Sequence, residues 1–251
     1  MILRKHKLDR SLPVRRQAAD VVQDAIMKGL LRPGEKLQQR TLAVQFKLSH
    51  SAVREVLLEL ENRGLLTKQK STYAVAHLSE DEFNDLNMMR NLLEPVACRL
   101  AAQHWRMDLG LELEDCLDRM SQAFRERDFL KSWECDREFH RIIWKHQPNR
   151  ILEAHLEKIS TQLFAFYLSQ SVAASYYPQA PVDKIFHEHQ LILDVLRTRD
   201  GERAERMVRR ILERSSRRGF RLLHPIWRAE LQVQASATGF ATDAETSRVS
   251  A

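Results

Sequence analysis

The chain has 251 residues, 43% of them hydrophobic and 29% charged, with only 7 glycines and 7 prolines. That is enough apolar material for one large or two ordinary packed domains, and too few turn residues for a hairpin-rich β protein. The formal charge of +6 is uneven: residues 1–78 carry 15 Lys/Arg against 7 Asp/Glu, whereas the other 173 carry 25 against 27, so the front of the chain is the part suited to a polyanion.

No apolar run approaches the roughly 18 residues that a membrane span needs. The start, MILRKHKLDR, lacks the apolar stretch of a secretory signal. Cys98, Cys116 and Cys135 are odd in number and show no CxxC spacing, which argues against a disulfide scaffold and a zinc knuckle. These features predict a cytoplasmic protein with three buried free thiols.

In chain order, a short basic arm (1–12) precedes a first helix over about 13–29, whose apolar stripe is Val14, Ala18, Val21, Val22, Ala25 and Ile26. Pro33-Gly34 makes a turn. A short helix over about 39–46, a tight turn, and a helix over about 51–63 capped by Ser49 and ended by Gly64 follow. Residues 65–76 read as two short strands forming a small wing, with Lys68 and Lys70 near their turn. Ser79-Glu80-Asp81-Glu82 is a capping box that opens a second, all-helical segment. Six helices are expected there, near 80–104, 110–126, 128–146, 149–170, 183–199 and 200–222, with Pro95 inside the first. From 225 to 251 the apolar content falls and a disordered tail is expected. The fold class is therefore mainly α: a winged helix-turn-helix over 13–78 and a helical bundle over 79–224.

A helix-turn-helix lays its second helix in the major groove with the N-terminal residues nearest the bases. His50, Ser51 and Ala52 stand there, and Arg54 is one turn in, able to take a guanine edge or clamp a phosphate. Arg40 begins the preceding helix, within reach of the backbone, and the wing lysines add sequence-independent charge. These residues resemble the GntR family of bacterial repressors: Pro33-Gly34-x-x-Leu37, Leu42-Ala43, Ser49, Val53-Arg54-Glu55, Leu57, Leu60 and Gly64-Leu65 fall in its register. The resemblance implies Arg40, Ser49, His50, Ser51, Ala52, Arg54 and Lys70 as DNA contacts. The chain departs from the pattern at His50, where the family often has Arg, and at Ser71-Thr72, where the wing tip usually has Gly. The bland alternative is a helix-turn-helix used for protein contacts.

The helical segment carries ionisable residues on apolar stripes. Arg90 stands among Leu86, Leu93, Ala97 and Leu100; Asp136 and His140 among Phe129, Trp133 and Ile143; His189 among Ile185, Ile192 and Leu196. Burying such groups without partners costs roughly 2–7 kcal/mol for neutral ones and more for charges, so each other, a metal or a bound anion must satisfy them. The order of motifs, Arg90-x-x-x-Glu94 with Leu100-Ala101-Ala102, Asp136-x-x-Phe139-His140, Asn149 and Glu188-His189, resembles the FadR-type (FCD) ligand-binding domain. That resemblance implies a homodimer and a small carboxylate-bearing effector held by Arg90, Asp136, His140 and His189. It also implies a divalent cation (zinc, manganese or nickel) on an Asp and three His. Here Asp136, His140 and His189 are candidate ligands, while Ile211 replaces the third histidine. The metal-free alternative pairs Asp136 with His140 across the pocket. Tyr167, Tyr176 and Tyr177, with Phe164 and Phe166, are either pocket lining or plain core.

The reading is a DNA-binding transcriptional regulator, a repressor by the family's usual mode, working on double-stranded operator DNA under a small organic acid. The alternatives are a regulator whose helical domain is degenerate, and a metal-dependent enzyme fused to a DNA-binding head.

Overall fold

The computed structural model describes residues 14–70, 72–173 and 182–238, so the basic arm, Ser71, Tyr176 and Tyr177 lie outside the described residues. The front of the chain forms α1 (Val14–Met27), β1 (Lys36–Leu37), α2 (Gln39–Phe46), α3 (His50–Asn62), β2 (Leu66–Gln69) and β3 (Thr72–Val75). Buried Ala18, Ala19, Val22, Ala25 and Ile26 of α1 close over Leu42, Ala43 and Phe46 of α2 and Val53, Val56, Leu57 and Leu60 of α3. The turn between α2 and α3 is made by Lys47, left-handed at φ +54° with its N–H returned to Ala43 O, and by Ser49, whose Oγ accepts the Ala52 N–H. Gly64 then takes φ +76°, a region that favours glycine, and reverses the chain into the wing.

The wing is larger by one strand than the sequence predicts. β1 pairs antiparallel with β3, Leu37 opposite Tyr73, giving the sheet order β1-β3-β2. Two residues are too short to show an alternating pattern, so β1 had no signal of its own. At the hairpin tip Lys70 is left-handed, φ +53°, and exposed.

The rest of the chain is α4 (Glu80–Gln103), α5 (Met107–Arg125), α6 (Phe129–His146), α7 (Arg150–Ala173), α8 (Val182–Arg197) and α9 (Gly201–Thr238). The predicted capping box is present: Ser79 Oγ accepts the Glu82 N–H and Glu82 accepts the Ser79 N–H. α4 runs unbroken through Pro95 and is central, packed against α6, α7, α8 and α9. Cys98, Cys116 and Cys135 are free and buried. Among the described residues no helix is long and apolar enough to cross a membrane.

The expected disordered tail is corrected in part. α9 continues through Pro225 to Thr238, and only 239–251 lie outside the described residues. Leu223 and Trp227 are buried, the Trp227 indole N–H donates to Leu78 O at 3.0 Å, and its ring stacks on Phe166 at 5.9 Å. One anchored turn lets the Ala- and Gln-containing stretch beyond it continue as helix despite its low apolar content.

α7 faces two ways. Gln162, Ala165 and Phe166 meet the front of the chain: Ala165 joins the core of α1–α3, Phe166 meets His77 edge-on at 5.5 Å, and a Cβ on Gly64 would stand 2.4 Å from Gln162 Cδ. Leu163, Phe164 and Tyr167 turn instead to a cavity within the helical body.

Candidate functional site

The cavity has a volume of about 390 Å³ and lies among α4, α6, α7, α8 and α9. All four ionisable residues picked out by periodicity, Arg90, Asp136, His140 and His189, line it, as does Ile211. The helical spacing explains the convergence: Asp136 and His140 are one turn apart on α6, and α8 brings His189 so that the His140 and His189 ring centroids are 5.2 Å apart.

The pairing differs from that of the metal-free alternative. Asp136 does not pair with His140. Its Oδ1 lies 2.9 Å from His189 Nε2, while His140 Nδ1 contacts Glu94 Oε1. Arg90 Nε donates to the other oxygen of Glu94 at 2.6 Å. Glu94, 0% exposed, is therefore the hub of the polar cluster at the cavity. Burial pushes its carboxyl up, but the Arg90 guanidinium and the His140 imidazole outweigh this and hold it at about 2. Spacing from Arg90 to Glu94 (i, i+4) was the available signal, yet a glutamate on a helix reads by default as solvated. A second hub had no sequence signal. Arg218 on α9 grips Glu188 through both arms, Nη1 to Oε1 at 2.9 Å, across thirty residues of chain.

His189 defines what the centre can hold. Its Nδ1 lies 2.8 Å from the Ile185 carbonyl, which can only accept, so Nδ1 carries a proton and Nε2 is the ring's variable position. A bare Nε2 lone pair at 2.9 Å from a carboxylate oxygen is repulsive, so a proton or a cation stands between them. The contact is close enough for an ion pair but not aligned as a hydrogen bond, and Nε2 is buried without a hydrogen-bond partner. Burial lowers the basicity of the imidazole, but Asp136, with the Ile185 carbonyl and Glu188, outweighs it and raises it; the Asp136 carboxyl, pushed up by burial, is pulled below its ordinary value chiefly by His189. Ligand atoms of Asp136, His140 and His189 lie within 4.8 Å of one another. With Nδ1 of His189 tied to a carbonyl and Nδ1 of His140 against a carboxylate, both rings are oriented as metal-bound imidazoles usually are. The residues present fit a three-ligand divalent site, with apolar Ile211 also on the cavity lining.

In the head, α3 presents its N-terminal face to solvent. His50, Ser51 and Arg54 are exposed and Ala52 is half-buried, while Ser49 Oγ is spent on the cap and on Ser51 Oγ at 2.9 Å. Arg40 is exposed at the start of α2. Glu55, next to Arg54, is neutralised by Arg15 of α1. Gly64, at the far end of α3, is seated on α7. The 13 residues of α3 put about 20 Å of helix between that seat and its exposed N-terminus.

A winged helix-turn-helix joined to an all-helical body is an architecture of DNA-binding regulators. The comparisons with known proteins agree. The model of the bacterial regulatory proteins of the gntR family matches residues 14–72, and that of the FCD domain matches residues 85–214. The chain belongs to the GntR family and is a DNA-binding transcriptional regulator with an FCD domain. It is 23% identical over 212 residues to the HTH-type transcriptional repressor RspR of Escherichia coli K12, covering 84% of this chain and 90% of RspR. It is 27% identical over 198 residues to the HTH-type transcriptional regulator LutR of Bacillus subtilis, covering 72% and 89%. Among solved structures, E. coli McbR/YncC superposes with a TM-score of 0.73 at 22% identity, over 84% of this chain and 99% of that one. These relatives are transcriptional regulators, which sets aside the metal-dependent enzyme reading.

Proposed function

We propose that the chain is a homodimeric repressor that grips operator DNA through its two heads and lets go when a small carboxylate-bearing effector enters the helical body. The observation that carries this is the convergence of Arg90, Asp136, His140 and His189 on one cavity of a GntR-family regulator. Glu94 engages only Nε of Arg90 among the described residues, so the Nη nitrogens remain to meet a carboxylate as a fork. A divalent cation on Asp136, His140 and His189 would supply open coordination positions for the same carboxylate. The repressor names among the relatives, RspR and the gluconate operon repressor of Bacillus licheniformis, support the direction of control.

On the DNA side, Arg54 reads a base edge, His50, Ser51 and Ala52 approach the groove floor, Ser49 and Arg40 position the helix, and Lys70 meets a phosphate from the wing.

Two variants test the division of labour on a duplex selected from a random pool. Arg54→Ala loses roughly 10- to 100-fold in specific affinity with dimer and helix content unchanged. Affinity within threefold of wild type overturns the placement of the reading helix. Arg90→Ala retains duplex binding but no longer responds to acids that release the wild type, and a normal response removes Arg90 from the site. Metal analysis of protein purified without chelator checks the cation, which should be lost together in Asp136→Ala and His189→Ala.

A further inference from the structure

We infer that the effector is an acid with an apolar, preferentially aromatic, body, not a hydroxy acid or sugar acid. This rests on the effector reading above and deepens it.

The cavity lining is of two kinds. Arg90, Asp136, His140 and His189 form one linked polar group on its lining, joined through Glu94 and the 5.2 Å contact of the two imidazoles. The lining also carries apolar Trp133, Phe164, Tyr167, Ile185, Ile192 and Ile211. Three of these form an aromatic corner: Trp133 and Tyr167 have centroids 4.6 Å apart at 40°, and Trp133 meets Phe164 edge-on at 6.1 Å. Such a corner offers a ring both faces and edges. Arg90 already stands over the Phe164 ring at 5.4 Å, so the carboxylate receptor and the aromatic corner adjoin.

Polar groups elsewhere on the lining are largely spent on one another. The Ser216 hydroxyl lies 3.2 Å from both Asn87 Oδ1 and Asn91 Oδ1, and Arg218 is held by Glu188. Ser215 and the exposed Arg221 are the exceptions. A guest with several hydroxyls would bury them against hydrocarbon, and each one left unpaired weakens binding by roughly 10- to 100-fold. Size points the same way. A volume of about 390 Å³ lies in the range of sites that enclose drug-sized molecules, roughly 300–1,000 Å³. A three-carbon acid would leave most of the space unfilled. Ile211 adds buried hydrocarbon to the same lining.

The test is titration calorimetry on the full chain, with and without added zinc, comparing phenylacetate, 3-phenylpropionate and 1-naphthoate with lactate, citrate and gluconate. The expected result is that at least one aryl acid binds 10-fold or more tightly than every polar acid. Trp133→Ala and Ile211→Asn then weaken the aryl acid by 10-fold or more, with the helix content of each variant checked by circular dichroism. If a polar acid binds as tightly as the aryl acids, or if both variants leave aryl affinity within threefold, the inference is overturned while the effector reading stands. If no acid of either set binds, both fall.

Discussion

At the scale of single residues, Glu94 governs the linked polar group of the cavity. A fully buried carboxylate persists there because a guanidinium and an imidazole each take one of its oxygens. Removing one partner of such a cluster strands a charge, which costs roughly 3–5 kcal/mol, whereas removing both is far milder. Arg90→Ala/Glu94→Gln should therefore unfold at a higher urea midpoint than Arg90→Ala alone, and the reverse order would mean that the two side chains act independently. The same pairing sets an acid limit. The folded Glu94 value of about 2 lies below its ordinary 4.5, so its contribution to stability is complete above pH 4.5 and is lost as the pH falls toward 2. Glu94→Gln flattens that part of the stability–pH curve, as followed by thermal melts between pH 5 and pH 2.5. An unchanged slope would assign the acid limit to other carboxylates.

At the scale of elements, periodicity located the helices but misjudged which face of α4 is deepest. Of the predicted stripe of Leu86, Arg90, Leu93, Ala97 and Leu100 only Ala97 is fully buried, and the deepest face runs through Glu94, Ala97, Cys98, Ala101 and Ala102. A charged residue at its centre and small residues along it hid that face from a hydrophobicity pattern. On α6 and α8 the apolar neighbours Ile143, Ile192 and Leu196 are large, and there the cavity residues were legible. Arg218 and Glu188, joined only by the packing of α9 on α8, were not. The far part of α9 was misread for a related reason: among the described side chains beyond Pro225 it is anchored by Trp227, with Ile226 packed beside it, in a segment otherwise poor in apolar residues. Trp227→Ala removes the cap over Phe83 and Phe166 and frees Leu78 O. It should cost about 3–5 kcal/mol, lowering the melting temperature of the full chain, and a shift under 1 °C would show that α9 beyond 223 contributes nothing to the fold.

At the scale of the whole molecule, the surplus of positive charge sits in residues 1–78, so affinity for a duplex should fall steeply with salt. Each phosphate contact contributes about −0.9 to the slope of log K against log salt. With one wing contact per head of the proposed dimer, Lys70→Ala should reduce that slope in magnitude by about 2 and weaken all duplexes alike, in contrast to Arg54→Ala. A slope equal to wild type would place the wing away from the backbone. The head and the body do not meet through a free tether. One rod, α7, carries Gln162, Ala165 and Phe166 on the side of the head and Leu163, Phe164 and Tyr167 on the side of the cavity. On the proposed control by a small acid, thermodynamic reciprocity makes the duplex itself a modulator of the cavity: whatever factor the acid imposes on operator affinity, the operator imposes in return on the acid, and occupied promoters then answer only to concentrations that free protein would already have sensed.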